Sequence, residues 1–277
     1  MKPTLSWARP RRALLASVVL TCAVLAGCSD TARKDSANSR TVVPSVTTLP
    51  SQPLRIVGLG DSYMSAQNAQ GRSFMQLFGT QLQAKLTQPV EVTAFAQGDS
   101  TSARVLTDLR DDPGVRAAVA KADIVVISVG SNDVDPFGMF PKGTCAPGQA
   151  KTSCLKAYAP ALTRNFEALL TELDKLTQSD PPAVRVTSVD NPFIGMPDAP
   201  TPRFGHDFFT QVAEAETEAI FAVARKHGAR GIDYLHVFSG PRGLDDPGKY
   251  LAEDHAHPGD LGIQTIADLL TDMGAVR

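Results

Sequence analysis

Residues 54–63 read Leu-Arg-Ile-Val-Gly-Leu-Gly-Asp-Ser-Tyr, a short apolar run that ends in a glycine, an acid and a serine. An apolar run of this length predicts a buried strand over Leu54–Leu59, with Ser62 just beyond its end. A serine hydroxyl is a weak nucleophile until a neighbouring base removes its proton. We take Ser62 as the candidate nucleophile. The alternative is a serine that only caps the following helix.

Apolar runs and helical patterns alternate along the remaining chain, which is long enough for one domain with a substantial core. Strands are predicted at Leu54–Leu59, Val90–Ala96, Ala122–Val129, Ala183–Val189 and Gly231–Val237. Helical spacing of apolar residues is found within 74–86, 162–176, 208–223 and 263–273. This alternation predicts an α/β fold, with a mostly parallel five-stranded sheet and helices on both faces. Such sheets bind ligands at the carboxyl ends of their strands, and Ser62, Gly98 and Asn132 all follow predicted strands.

A base for Ser62 is predicted in the segment Asp254-His255-Ala256-His257-Pro258. Asp254 and His257 are three residues apart, so one tight turn brings the carboxylate to Nδ1 and leaves Nε2 facing the serine. Pro258 would stiffen that turn. Two alternatives stay open here: His255 as the base, and a His-x-His metal site that lacks an obvious third ligand. The other histidines stand in helical or strand patterns and are interpreted as structural: His206, His227 and His236.

Candidate donors to an oxyanion are the backbone N–H groups of Ser62 and Gly98 and the side-chain amide of Asn132. A glycine suits close backbone approach because it has no Cβ, although Gly98 and Gly130 are also compatible with ordinary turns. A second Gly-Asp-Ser occurs at residues 98–100, which makes Ser100 a rival nucleophile.

Four motifs in this order resemble those of the SGNH hydrolases, the GDSL-type lipase and esterase superfamily. They are Gly60-Asp61-Ser62-Tyr63, Gly98, Gly130-Ser131-Asn132-Asp133 and Asp254-x-x-His257-Pro258, and the resemblance covers about residues 54–275. It implies a flavodoxin-like three-layer α/β/α sandwich and no required metal or organic cofactor. It also implies a catalytic Ser62, Asp254 and His257, with an oxyanion hole formed by Ser62, Gly98 and Asn132. Two departures are Tyr63, where the superfamily's name has leucine, and the absence of the usual asparagine before Gly98.

The N-terminus predicts export and lipid anchoring. A basic start, an apolar stretch from Ala13 to Ala26 and the sequence Leu25-Ala26-Gly27-Cys28 resemble the signal and lipobox of bacterial lipoproteins. The chain is therefore divided into a signal peptide (1–27), a Ser/Thr/Pro-rich tether with a lipidated Cys28 (28–53) and the hydrolase domain (54–277). The alternative is an ordinary signal peptide with an incidental cysteine. We expect a protein anchored to the membrane in the bacterial cell envelope, outside the cytoplasm.

The charge of the chain limits its possible partners, and its cysteines predict a disulfide. Residues 1–27 hold four of the 27 basic residues and none of the 29 acidic ones, so the remaining chain is acidic and has no cluster suited to nucleic acid. Cys145 and Cys154 predict a disulfide in an oxidising compartment. They fall in 134–155, which looks like an insertion beside the active-site edge.

These features together predict an extracytoplasmic serine esterase that hydrolyses carboxylic acyl or acetyl esters through an acyl-enzyme intermediate. The substrate would be a small-molecule ester or a lipid or glycan ester. Two alternatives are an O-acyltransferase acting on envelope sugars or lipids, and a catalytically silent lipoprotein that binds lipid or glycan. The sequence does not separate hydrolysis from acyl transfer.

Overall fold

Five parallel strands form the central sheet of the protein. The computed structural model describes residues 52–133, 152–191, 194 and 206–275, with the backbone alone for helical residues 152–158 and 206–208. The strands are β1 (Leu54–Gly60), β2 (Val90–Ala96), β3 (Ile124–Ser128), β4 (Ala183–Thr187) and β5 (Arg230–Ile232). Their order is β2-β1-β3-β4-β5, and every neighbouring pair is parallel. The predicted α/β class and five-stranded sheet are confirmed.

Helices cover both faces of this sheet. Those among the described residues are α1 (Ser62–Ser65), α2 (Phe74–Leu86), α3 (Ser102–Asp111), α4 (Pro113–Val119), α5 (Thr152–Leu176), α6 (His206–Lys226), α7 (Tyr234–Ser239) and α8 (Asp260–Met273). Helices α3, α4, α5 and α6 share one apolar core with the sheet, and α2 and α8 share a second core on the opposite face. The arrangement is a three-layer α/β/α sandwich.

Strand β3 lies at the centre of these layers. This position explains why its sequence is apolar without interruption. Its side chains alternate between the two faces, as in any strand. Val125 and Ile127 enter the core with α5, whereas Ile124 and Val126 enter the core with α2. All five residues of the strand are buried because helices cover both faces.

The fifth strand is shorter than the predicted Gly231–Val237, and this part of the prediction is wrong. The strand ends at Ile232, and α7 begins at Tyr234. The Asp233 side chain accepts a hydrogen bond from the His236 N–H at 3.2 Å and caps the helix. The cap and the following turn outweigh the strand-like composition of this short segment.

Helices α3 and α4 were missed by the pattern of apolar residues, although each begins at a recognisable cap. Thr101 Oγ1 accepts from the Arg104 N–H at 3.3 Å at the start of α3. Asp112 Oδ1 accepts from the Gly114 N–H at 2.7 Å at the start of α4. Both helices have few apolar positions because only one side of each touches the core.

Several predictions fall on residues outside this description. They are the signal peptide, the lipidated Cys28, all but the last two residues of the tether, Cys145 and most of the 134–155 insertion. Residues 152–155 begin α5, but the side chain of Cys154 is outside the described part, and the disulfide stays a prediction. The predicted domain start at Leu54 coincides with the first residue of β1. Of the helices in the described ranges, none combines the length and the apolar character needed to span a bilayer.

Candidate active site

Three of the sequence-predicted residues follow adjacent strands at one edge of the sheet. Ser62 begins α1 two residues after β1 ends, Gly98 comes two residues after β2, and Asn132 follows β3 by four residues. Because β2, β1 and β3 are neighbours and parallel, their carboxyl ends lie side by side. The strand order reverses direction between β1 and β3, and open α/β sheets form their ligand crevices at such a point.

Backbone hydrogen bonds continue past the strand ends and hold this edge together. The Asp61 N–H donates to the Ser128 carbonyl at 3.1 Å, and the Gln97 N–H donates to the Gly60 carbonyl at 3.3 Å. Gly60 sits so close to β3 that a Cβ there would lie 2.5 Å from the Ser128 oxygen. A glycine is therefore required at the position that leads into the candidate nucleophile.

Ser62 occupies the first position of the one-turn helix α1. Asp61, not Ser62, caps this helix: its Oδ1 accepts the Tyr63 N–H at 3.0 Å. Asp61 is buried, while Ser62 is only partly so. The capping alternative for Ser62 is therefore not what the structure shows, and its hydroxyl is left for other contacts.

Asp254 and His257 make the contact that their spacing predicts. Asp254 Oδ2 lies 2.7 Å from His257 Nδ1, and Asp254 Oδ1 accepts the backbone N–H groups of Ala256 and His257, both at 2.9 Å. Partial burial raises the pKa of Asp254, but these two N–H groups and the His257 side chain outweigh it and lower the pKa from 3.8 to about 2. The carboxylate is therefore ionised at neutral pH. It holds the proton of a neutral imidazole on Nδ1, which leaves the Nε2 lone pair free.

The loop that carries this pair is closed by backbone contacts. The Ala252 N–H donates to the His257 carbonyl at 2.8 Å, and Leu251 pairs with the buried Pro258 in an antiparallel bridge. His255 projects from the same loop with an exposed side chain and a left-handed backbone, φ 54°. The Asp254 carboxylate contacts His257 rather than His255, so the rival base lacks the carboxylate partner.

Tyr63 connects the serine segment to the histidine loop. Its ring stacks on Tyr234, with centroids 5.4 Å apart and planes 8° apart. Its ring also lies 6.4 Å from the His257 imidazole at a tilt of 41°. Because Tyr63 directly follows Ser62, this contact brings the histidine loop beside α1. Among the described residues, the Ser62 hydroxyl makes no hydrogen bond to His257, and such bonds often tighten only when substrate binds.

Asn132 and Gly98 lie in the two turns beside Ser62. One N–H of the Asn132 amide donates to the Ser100 carbonyl at 3.0 Å, which leaves its second N–H available. Gly98 is exposed, with open space where a Cβ would stand. Ser100 is only 5% exposed. The rival nucleophile is therefore largely buried, at the wall of a pocket, and its carbonyl accepts a hydrogen bond from Asn132.

Sequence reasoning missed a pair of buried acids at this edge. Burial raises the pKa of Asp61 to about 7, and it raises the pKa of Asp190 to about 7. Asp190 follows β4 and interacts with the Tyr63 hydroxyl, which lowers the carboxyl's pKa in part. Within the described residues, neither Asp190 Oδ2 nor the Tyr63 hydroxyl completes a hydrogen bond of standard geometry. The available signal was a polar residue at the end of a buried strand, the same signal that identified Asn132.

The remaining histidines with described side chains make pairs away from Ser62. His227 Nδ1 lies 2.6 Å from Asp174 Oδ2 and joins α6 to α5 before β5, at the amino edge of the sheet. His236 Nδ1 lies 2.7 Å from Asp233 Oδ2 at the start of α7. The His206 side chain is outside the described part. Across the described ranges, no three His, Cys, Asp or Glu side chains are grouped to hold a metal ion, which leaves the His-x-His alternative without a third ligand.

A pocket of about 250 Å³ opens beside the turn that contains Gly98. Its lining includes Gly60 and Gln97 near the site and Leu59, Phe95 and Val105 further in. Asp108 and Asp112 also border it, but Asp108 pairs with Arg104 and Asp112 caps α4. The pocket therefore combines polar groups with apolar ones, and it lies next to the turn that contains Gly98.

The chain belongs to the GDSL-like lipase/acylhydrolase family, which it matches over residues 59–264. It is an enzyme of the carboxylic ester hydrolase class, and the resemblance stated from its motifs is confirmed. Among solved structures, it is similar to the lipase Lip_vut3 from a goat rumen metagenome, with 19% identity, a TM-score of 0.65, and coverage of 81% of this chain and 99% of the other.

Two further structures share the fold. A lipase/acylhydrolase from Enterococcus faecalis is 18% identical, with a TM-score of 0.53 and coverage of 79% of this chain and 94% of the other. A variant of the acetyl xylan esterase Axe2 from Geobacillus stearothermophilus is 16% identical, with a TM-score of 0.54 and coverage of 81% of this chain and 97% of the other. No curated protein matches the sequence. At these identities the structural similarity concerns the fold.

Proposed function

We propose that this enzyme is a serine esterase in which Ser62 attacks the ester carbonyl and forms an acyl-enzyme. The observation that carries the proposal is the contact between Asp254 Oδ2 and His257 Nδ1 at 2.7 Å. An ionised carboxylate at Nδ1 leaves Nε2 as the proton acceptor. The contact between the His257 imidazole and Tyr63, the residue after Ser62, supports this role.

In this mechanism His257 Nε2 takes the Ser62 proton as the hydroxyl attacks the carbonyl carbon. The negative charge that develops on the carbonyl oxygen is stabilised by the N–H groups of Ser62 and Gly98 and by the free N–H of Asn132. Each such donor contributes about 3–4 kcal/mol in serine hydrolases. His257 then returns the proton to the leaving alcohol. A water molecule, activated by the same imidazole, releases the acid from Ser62.

The proposed substrates are esters with a short acyl group. The pocket beside the Gly98 turn holds about 250 Å³, below the volumes of about 300–1,000 Å³ that accommodate drug-sized ligands. Its small volume and the apolar side chains of Leu59, Phe95 and Val105 within a mixed lining suit an acetyl or other short acyl chain. Two of the structural relatives are named a lipase and an acetyl xylan esterase. A short-acyl ester on an envelope lipid or glycan would suit an enzyme that is anchored to the membrane as the sequence predicts.

Extracytoplasmic anchoring through Cys28 belongs to the same proposal and is supported by the Leu25-Ala26-Gly27-Cys28 sequence. Growth of cells with a labelled fatty acid should transfer label to the protein, and Cys28→Ser should abolish that transfer. Label that persists in Cys28→Ser would contradict anchoring at this cysteine.

The mechanism is tested by labelling the protein, expressed without residues 1–27 and with Cys28→Ser, with a fluorophosphonate probe. Labelling and hydrolysis of p-nitrophenyl acetate should both disappear in Ser62→Ala and in His257→Ala. Ser100→Ala, the matched serine of the second Gly-Asp-Ser, should keep its labelling. Turnover that survives in Ser62→Ala would rule out the acyl-enzyme. Release of free acetate, with no acetylation of added alcohols or sugars, distinguishes hydrolysis from acyl transfer.

A further inference from the structure

A hydrogen-bonded chain runs from α5 to the turn that carries Asn132. Asn165, on α5, donates from Nδ2 to Ser102 Oγ at 3.0 Å. Ser102 begins α3 and is fully buried. Its hydroxyl donates to Asp133 Oδ1 in a short hydrogen bond, and its backbone N–H donates to Asp133 Oδ2 at 2.7 Å. The single hydroxyl thus accepts from Asn165 and donates to Asp133, which uses its one donor and one of its two acceptor lone pairs.

Asp133 links this chain to its neighbour in sequence. The Asp133 N–H donates to the Gly130 carbonyl at 2.8 Å and closes the turn that contains Asn132. Burial raises the pKa of Asp133, and the Ser102 and Asn165 groups oppose the increase. The carboxyl group therefore sits in a partly desolvated position for which its hydrogen bonds compensate only in part. Gly130 has φ 149°, and a Cβ there would lie 3.0 Å from Val189, so the conformation of this turn favours glycine at this position.

Two separate contacts therefore join the turn after β3 to the segment after β2. Asn132 is held by the Ser100 carbonyl, and Asp133 is held by Ser102, two residues further along. Two contacts at adjacent residues restrict rotation of this turn more than one contact would. The direction of the second Asn132 N–H therefore depends on these neighbouring groups.

We propose that Asn165, Ser102 and Asp133 form a clamp that positions the Asn132 amide toward the oxyanion. They are positioning residues and act through Asn132. The inference rests on the proposed function, because it assumes that Asn132 donates to the oxyanion. Asn165 lies outside all four sequence motifs, and its contribution follows only from the packing of α5 against α3.

Preorganised donors lose much of their effect when displaced, and a misplacement of about 1 Å costs on the order of 100-fold in rate. Removal of the Asn165 amide leaves Ser102 and Asp133 in contact but deprives the hydroxyl of the donor that orients it. We therefore expect Asn165→Ala to reduce kcat for p-nitrophenyl acetate by about 10- to 100-fold, with KM changed less than about twofold.

The decisive experiment is a double-mutant cycle. Asn165→Ala is measured in the wild-type protein and in Asn132→Ala, with kcat, KM and the thermal midpoint recorded for all four proteins. If Asn165 acts through Asn132, its substitution should lower kcat in the wild type and leave kcat within about twofold in Asn132→Ala. A residue that only supports the fold would lower kcat by the same factor in both backgrounds, and that outcome would overturn the clamp.

Matched variants separate packing from positioning. Thr163 is another half-buried residue of α5, and its hydroxyl donates to the Ala159 carbonyl of the same helix. Thr163→Ala removes this hydroxyl and should leave kcat unchanged. Asn165→Leu retains the side-chain volume and should lower kcat as Asn165→Ala does. Ser102→Thr keeps the hydroxyl and should retain more activity than Ser102→Ala. Normal kcat in Asn165→Leu would contradict the inference.

Failure of this inference is distinguishable from failure of the proposed function. If Asn132→Ala itself leaves kcat unchanged, Asn132 is not an oxyanion donor and the clamp falls with that role. If Asn132→Ala lowers kcat but Asn165→Ala does not, the esterase mechanism stands and the clamp alone is wrong.

Discussion

Substitution of the buried Asp190 by asparagine should stabilise the protein at high pH. Burial raises the pKa of this carboxyl from 3.8 to about 7, so the folded protein retains a proton that the unfolded chain releases between these values. The contribution of Asp190 to stability therefore falls as pH rises from about 4 to about 7 and is constant above that range. Asparagine has a similar shape and does not ionise, so it removes this dependence.

The size of the effect follows from the shift. A difference of about three pKa units corresponds to about 4 kcal/mol, because each unit is worth about 1.4 kcal/mol. Between pH 5 and the pKa of about 7, the wild type loses stability over about two pH units. From pH 5 to pH 8, the free energy of unfolding of Asp190→Asn should therefore rise by about 2–3 kcal/mol relative to that of the wild type. The charge on Asp190 also raises the pKa of Asp61, so removing it adds to the gain in the same direction.

Urea unfolding of the wild type and of Asp190→Asn at pH 5 and pH 8 measures this difference directly. Asp111→Asn is the control, because it removes an exposed carboxylate from the end of α3 and should change stability equally at both pH values. Thermal midpoints should follow the same trend by on the order of 5–10 °C for a domain of this size. A stability difference between Asp190→Asn and the wild type that is the same at pH 5 and pH 8 would refute the argument from burial.

Two substitutions test the geometry of the site. Asp254→Asn removes the charge from a hydrogen bond to His257 worth about 1.5–3 kcal/mol, so kcat/KM should fall about 10- to 150-fold in ester hydrolysis. The exposed neighbour Glu253→Gln should have no such effect, and equal losses in both would exclude a specific role. Gly60→Ala forces a Cβ against the β3 backbone and should cost about 1–3 kcal/mol in urea unfolding. Gly98→Ala, which has open space, should leave stability unchanged, and a similar loss there would contradict the steric explanation.

Elements with strong periodicity were predictable, and those with weak periodicity were not. The predicted strand Val90–Ala96 matches β2, and α2 matches the pattern within 74–86, because apolar spacing continues over the whole element. Helices α3 and α4 touch the core along narrow faces, so their sequences contain too few apolar residues for this signal. Helix α7 replaced the second half of a predicted strand because a single capping residue decides a segment of six residues.

The residues of the candidate site also fall into those that the sequence predicted and those that it did not. The contact between Asp254 and His257 depends on one turn of consecutive residues, so their spacing was sufficient to predict it. Asn165 and Asp190 reach the site from α5 and β4, and no local pattern relates them to Ser62 or Asn132. Their involvement depends on which elements become neighbours in the sheet and its covering layers.

The amino-acid sequence by itself determined the alternation of strands and helices, the family and the residues that meet within single turns. Apolar periodicity and turn chemistry act between residues close in the chain, so they can be read without coordinates. Only the tertiary structure decided that Asp190 is desolvated beneath Tyr63 and that Ser102 joins α5 to the Asn132 turn. Desolvation and long-range hydrogen bonds depend on everything that surrounds a group in space, and those surroundings come from segments distant in the chain.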